Sequence, residues 1–416
     1  MRIFSDPTQA WEYTQRYEHN GEAWVEVLNE TEDEAVTLTS AFNEDTYMGR
    51  GTVLQRDIAT MPLDPRNAEY QQFMWEATPF SPNGGWGSRT SLNTSSWGTQ
   101  PIHMYVVDSS HPECSFRTFQ GSGVAAGTPS WVATDYLDGE IPLPSWAVPA
   151  QNGDRGLAVY DKGTGIMREW FGTHDPADGP WRGGGGYSVS RRGLNHLAED
   201  NYGLQQQYGI SNIAGMHNSL GFIGIAEAMN KKINHALCFT VSAMRMRNDD
   251  GSNRISWPSR GSDGKVENYG PGGSKYDPEN PNHYHDGLPY TPTHGQWGRL
   301  PDSVDPMHNP RTGSPYPEFV RVIIEAAKRY GLVATDTNLW CHSFNTEQGR
   351  TFKHLYGEDP WAAGGIIERL YRDQYGGGGL SVNEFPWDLV EWAPVDWGRP
   401  VPDLNKRPGQ LVPWFG

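Results

Sequence analysis

Acid–base chemistry needs titratable side chains held close together, so the first residues of interest are the carboxylates and histidines that sequence spacing can gather. Asp154, Asp161 and Glu169 lie on or beside a segment that reads as a hairpin. Hydrolysis of a glycosidic bond uses two carboxylates about 5 to 10 Å apart, one of them protonated, and hairpin ends can hold such a pair. The competing reading makes Asp161 a turn residue, Asp154 a loop cap and Glu169 a solvated strand residue, and it is the preferred one. His235 and Asp336 follow a helical and a strand-like run and form a candidate His–carboxylate pair, read as structural first. His283, His285 and Asp286, with His294 nearby, carry the ligand types of a metal site, but their Asn-, Pro- and Gly-rich setting reads as a solvated loop. No metal and no cofactor is expected. No GxSxG, HExxH or phosphate-loop pattern occurs, and Gly183 to Gly186 lack the strand–helix context of a dinucleotide fingerprint.

The second candidate chemistry is aromatic. The chain holds 17 Trp and 19 Tyr among 416 residues. Trp131, Trp146, Trp170, Trp181, Trp257 and Trp297 sit in or beside loop-like sequence rather than on a periodic face. An indole stacks on the apolar face of a pyranose and donates through its N–H, so these six are the candidate glycan contacts. The alternative is that they plug loops onto the core or bury subunit contacts.

The elements that must position these groups are mostly strands. Ile102 to Val107 reads as one strand, and Leu157 to Tyr160 and Ile166 to Trp170 flank the turn sequence Asp161-Lys162-Gly163-Thr164-Gly165. Trp24 to Leu28 and Ala35 to Thr39 read as a second hairpin. Ile141-Pro142-Leu143-Pro144 suits an edge or a connector, and Gly183 to Gly186 a loop. Helices are expected from Asp6 to Gly21, over roughly 221 to 235, from Pro317 to Gly331 and from Asp359 to Gly376. The expected fold is mainly β, an antiparallel β-sandwich of jelly-roll type with a few peripheral helices and long loops. Three regions are expected: an N-terminal attachment or assembly region over 1–100, the sandwich with its glycan-binding loops over 101–375, and a Trp- and Pro-rich interaction tail over 376–416.

Charge narrows the partners. Lys plus Arg number 33 against 50 Asp plus Glu, a formal net charge of −17. Without a basic run, nucleic acid and anionic lipid are both disfavoured. No apolar stretch reaches the roughly 20 residues of a membrane span. Three scattered cysteines (Cys114, Cys238, Cys341) do not make a disulfide framework, and three free thiols are expected.

From residue 141 onward an ordered series of short motifs resembles a known family. The series runs Ile141-Pro142-Leu143-Pro144, Gly153-Asp154, Leu157 to Asp161, Arg168-Glu169-Trp170, Gly209 to Gly215, Ile233 to Leu237, Trp257-Pro258 and Tyr330 to Asp336. It is similar to secreted bacterial and fungal β-rich proteins associated with cell-surface polysaccharide. It also resembles minor tail proteins of phages that infect actinobacteria, some of which carry such a domain. The resemblance covers residues 100–345. Arg155-Gly156 stands where that family usually carries a histidine soon after the aspartate, a departure that weakens any chemistry assigned to that region. The resemblance implies a structural and adhesive component of a phage tail tip that contacts host cell-envelope glycans. Its partners would be other virion proteins and that polysaccharide, in a homo-oligomer or larger assembly. The N-terminus lacks a secretion signal, which suits a virion component made in the host cytoplasm. The alternative is a virion enzyme degrading polysaccharide, with Asp154, Asp161, Glu169 and His235 as its acid and base groups.

Overall fold

In a computed structural model of the chain, residues 53–55, 58–76, 90–94, 102–120, 137–150, 154–190, 212–248, 254–262, 290–338, 341–371 and 380–399 are described, with short breaks inside some of these. The backbone of five short strands before residue 38 is described as well.

In chain order, β1 (Arg2–Asp6) pairs with β2 (Gln9–Glu12), and β3 (Tyr17–His19) with β4 (Trp24–Glu26). Next come β5 (Val36–Thr37), α1 (Asn67–Glu76), β6 (Thr90–Asn93) and β7 (Ile102–Val107). A hairpin of β8 (Phe116–Phe119) and β9 (Gly139–Pro142) precedes β10 (Gly156–Asp161), β11 (Ile166–Phe171) and β12 (Gly185–Ser190). The second half holds α2 (Ile225–Asn230), β13 (Leu237–Val241), β14 (Trp297–Arg299), α3 (Glu318–Arg329), β15 (Leu332–Thr337) and β16 (His342–Asn345). It closes with α4 (Arg350–Tyr356), α5 (Ile366–Leu370) and β17 (Glu391–Trp392).

The molecule is rich in sheet with few helices, and its two large sheets are mixed. One has the order β12-β11-β10-β7-β5, the other β17-β14-β15-β13-β16-β6. The expectation of an all-antiparallel sandwich is therefore corrected: β7 runs parallel to β10, β13 to β15, and β6 to β16. Parallel neighbours need a crossover, and α3 lies in the one that leads into β15.

The two sheets face each other. Ile102, Met104, Val106, Ala158, Tyr160 and Met167 of the first meet Cys238, Trp297 and Val333 of the second. The far face of the second sheet (Leu237, Phe239, Val241, Leu332, Phe344) is covered by α1 and by the apolar stripe Phe319, Val320, Ile323, Ile324 and Ala327 of α3. The far face of the first sheet (Tyr105, Val107, Leu157, Val159, Trp170) lies under Phe119, Ile141, Leu143, Ala147 and Trp181. With both faces covered, β7, β10 and β13 are buried along their whole length. Each fully buried large apolar side chain contributes about 1.5–3 kcal/mol.

Several local expectations change. Backbone strands occupy parts of 2–19 where a helix was expected, and β4 and β5 belong to different sheets rather than to one hairpin. The helix expected over 221–235 is confined to Ile225–Asn230, closed by Lys231 in the left-handed region at φ 55. The one expected from Asp359 begins only at Ile366. Gly185 and Gly186 pair in β12 with Phe171 and Trp170 instead of forming a loop. The N-terminal hundred residues supply strands to both sheets, so they are no detached region. Nor does the described part of the C-terminal region stand apart: Trp387 and Trp392 are fully buried, and β17 pairs with β14. Residues 400–416, with Trp414, lie outside the described residues.

Candidate functional site

The structure gives three of the four acid–base candidates, Asp161, Glu169 and His235, structural hydrogen-bond partners. Asp161 closes the β10–β11 turn. Its carboxylate accepts from Ser109 N (2.9 Å), Ser109 Oγ (2.8 Å), Gly163 N (3.0 Å) and Thr164 Oγ1 (2.5 Å). Asp154 precedes the other end of the same strand, about 20 Å away at some 3.3 Å per residue, too far for a catalytic pair. Glu169 is fully buried, not solvated as the sequence suggested. It accepts from Asn218 N (3.3 Å), Ser219 N (2.9 Å) and Ser219 Oγ (2.5 Å), holding the 3-10 turn Asn218–Leu220 against the sheet. Carboxylates whose lone pairs are already taken by fixed donors are anchors, not bases awaiting a substrate.

His235 is buried too, and its partner is Glu227 rather than Asp336. Its Nε2 lies 3.0 Å from Glu227 Oε2, and its Nδ1 donates to the Ala236 carbonyl at 2.7 Å. Glu227 sits at the third position of α2, where its carboxylate also accepts from Gly224 N at 3.0 Å, half of a capping box. Asp336 instead accepts from Thr337 N (2.7 Å) and Ile213 N (3.3 Å).

A second buried carboxyl, Glu347, reaches the same helix start and accepts from Ile225 N at 2.9 Å. Burial first, and then the charge of Glu227, push its pKa up from 4.5 to about 8, against the lowering effect of that hydrogen bond. Unfolded, Glu347 loses its proton near 4.5; folded, it keeps it to about 8, so stability falls as pH rises between those values. Glu347→Gln retains an acceptor for Ile225 N and cannot ionise. Thermal melts from pH 4.5 to 8.5 are expected to show a shallower alkaline decline in this variant than in the wild type. Identical slopes would contradict the assignment.

Asp154 is the exception among the four. It is largely buried, its carboxyl has no hydrogen-bond partner among the described residues, and burial raises its pKa to about 6. Its neighbour Arg155 pairs with Asp175.

The candidate glycan contacts fare as follows. Trp170 (0% exposed), Trp181 (8%), Trp257 (2%) and Trp297 (1%) are core residues, which corrects their reading as exposed stacking platforms. They fill the wide gaps between layers that smaller residues would leave open. Trp146 is half-buried, and its ring stacks on the exposed His354 with centroids 3.8 Å apart. Trp131, His283, His285 and Asp286 lie outside the described residues. His294 is buried, with Nδ1 2.7 Å from Ser262 Oγ. Among the described residues no group of three or more His, Cys, Asp or Glu is arranged to hold a metal. All three cysteines are free thiols.

What the sequence did not show is an open cleft of about 560 Å3 at the end of α3. Five segments build it, the earliest contributing Ala59. The turn after α2 brings Lys232, Ile233 and Asn234; the end of β14 brings Arg299 to Asp302; the last turns of α3 bring Val322, Glu325, Ala326, Lys328 and Arg329, with Tyr330 following; β17 brings Glu391. Gly331 makes the sharp return from α3 into β15 at φ +83, where an added Cβ would stand 2.6 Å from the Gly298 carbonyl oxygen. The floor is apolar (Ile233, Leu300, Val322, Ala326) and the walls are polar.

Some wall groups are committed. Arg299 donates to Glu391 (3.0 Å) and to the Ile58 and Ala59 carbonyls (2.8 and 2.7 Å), and Lys328 to the Val304 carbonyl (3.1 Å). Others stand open: Lys232, Asp302 and Glu325 are exposed, and their side chains have no hydrogen-bond or ion-pair partner among the described residues. Arg329 lies over the half-buried Tyr330, its Cζ 5.2 Å from the ring centroid. The cleft therefore offers donors, acceptors and an aromatic ring around an apolar floor.

No family model matches the chain, and no curated protein or solved structure matches it.

Proposed function

We propose that the protein is a binding component, an adhesive part of a phage tail tip that takes hold of host cell-envelope glycan, and that the cleft at the end of α3 is where a sugar segment rests. The observation that carries this reading is the cleft's set of uncommitted polar groups. A saccharide presents hydroxyls that both donate and accept, and Lys232, Asn234 and Arg329 can donate to them while Asp302 and Glu325 accept. Hydrogen bonds to charged groups are the stronger kind, and the Tyr330 ring adds an apolar surface for a pyranose face. The anchoring roles of Asp161, Glu169 and His235 support binding over catalysis. In this reading the virion assembly supplies the other partners.

The test is calorimetric titration with envelope oligosaccharides. Tyr330→Ala and Asp302→Ala are each expected to weaken binding about 10-fold or more; Asp302 is exposed and its loss should leave the melting temperature nearly unchanged, whereas Tyr330 also packs against the core between the sheets and its loss should lower it. Undiminished affinity in both variants would remove the cleft from the account.

A polysaccharide-degrading enzyme is the second reading, and Asp154 is the observation that favours it. A carboxyl titrating at about 6 is suited to general-acid work. It lacks a visible partner base, so it ranks behind binding.

A further inference from the structure

We infer that a cluster of three arginines threaded on two tyrosine rings beside α1 is a binding site for a phosphate group. Arg66 precedes the first turn of α1, and its Cζ stands 3.4 Å from the centroid of the Tyr290 ring. Arg245 approaches the same ring, with its Cζ 4.9 Å from that centroid. One helical turn beyond Arg66, Tyr70 accepts a 2.6 Å hydrogen bond on its Oη from Arg254 Nη2. The Arg254 Cζ lies 5.4 Å from the Tyr70 ring centroid.

Hydrogen bonds hold the backbone at Arg245 and Arg254 to one segment. Thr293 Oγ1 lies 2.6 Å from the Arg254 carbonyl oxygen and 3.3 Å from that of Arg245, while Thr291 Oγ1 accepts from Arg245 N at 2.8 Å. Two threonines of one extended segment thus hold the backbone at both arginines.

Arg254 is the group that points to a ligand. It is only 5% exposed, and its Nε is buried without a hydrogen-bond partner. Among the described residues it forms no ion pair, and its side-chain partner is a neutral phenol. A buried guanidinium is ordinarily matched by an anion, because desolvating a charge costs several kcal/mol that a neutral partner offsets only in part. Among the described residues, the carboxylates of Asp64 and Glu69 bond to Arg66 rather than Arg254: Asp64 accepts from Arg66 N at 2.8 Å, and Glu69 pairs with the Arg66 guanidinium at 3.2 Å on the half-exposed side.

A chain of net charge −17 does not collect cations by chance of composition. A buried guanidinium without an anion, with two more guanidinium groups on the neighbouring tyrosine ring, suits a phosphate, with its charge of up to about −2 and several acceptor oxygens, better than a carboxylate with one charge and two oxygens. The half-exposed Arg66 and Tyr290 are the face through which it would enter. This inference does not depend on the cleft reading. The phosphate can belong to a diester in a polymer or to a free monoester, and the probes separate these sources.

The experiment is calorimetric titration of the full chain with inorganic phosphate, glycerol phosphate and a glycerophosphodiester, against chloride at equal ionic strength. Saturable phosphate binding is expected that chloride does not reproduce, weakened about 10- to 100-fold in Arg254→Met and in Arg66→Ala. Arg66 is half exposed, so its variant tests the site even if Arg254→Met does not fold. Binding of the diester as well as the monoesters would place the phosphate in a polymer; binding of monoesters alone would make it a free ester, and either result upholds the site. Tyr330→Ala should bind phosphate like the wild type, which separates this site from the cleft. Absence of saturable phosphate binding to the wild type, or equal affinity in the arginine variants, would overturn the inference.

Discussion

Glu227→Ala is expected to destabilise the fold by about 3–5 kcal/mol, the usual effect of removing one member of a buried pair. The carboxylate meets three groups: His235 Nε2 at 3.0 Å, Gly224 N at 3.0 Å and Asn234 N at 3.5 Å. Alanine would leave the imidazole buried without its carboxylate and the start of α2 without its cap. His235 cannot escape to water, being fully buried with its other nitrogen on the Ala236 carbonyl. Glu227→Gln keeps an acceptor for the helix start and should cost less than alanine. Chemical denaturation with an unchanged slope measures both. A loss under about 1 kcal/mol for the alanine variant would show that the pair is not an anchor, and would reopen His235 as a functional group.

Trp170→Ala is expected to cost about 3–5 kcal/mol by the same measurement, the range for a large aromatic cut from a core. Its ring stacks on Phe119 with centroids 4.8 Å apart and planes inclined by 26°, and Phe119 in turn meets Trp181 at 5.6 Å. Gly183 passes so close that an added Cβ would stand 2.5 Å from Trp170 Cδ1. Glycan affinity should persist in the more conservative Trp170→Phe. If that variant stayed stable but lost glycan binding, Trp170 would return as a contact residue and the cleft would lose its standing.

What could be read from the sequence depended on how local the cause was. The β10–β11 hairpin was legible because Leu157 to Tyr160 and Ile166 to Trp170 carry strand residues around a five-residue turn, and Asp161 was legible as its turn residue. Helix α3 was legible from its apolar stripe and from Gly331 after its end. The parallel pairing of β13 with β15 was not, because residues 242–331 separate the two strands and no local pattern spans that distance. The loop-like setting of the Trp residues is compatible with glycan contact and with plugging the core alike; Trp257 and Trp297 do the second, filling the space between two sheets, a demand of packing that no sequence window contains. Glu227 sat at a capping-box position and could have been found as a helix cap, though not as the partner of His235. Glu347 and the cleft residues gave no signal, since the cleft draws on five segments spread from Ala59 to Glu391.

Incubation of the purified protein with bacterial cell-envelope polysaccharide, with retention and product size read together, tests the proposed binding role most directly. Retention with unchanged polymer length, lost in Tyr330→Ala and Asp302→Ala, is the expected result. Polymer that shortens in the wild type but not in Asp154→Asn would contradict it and make the protein a depolymerase.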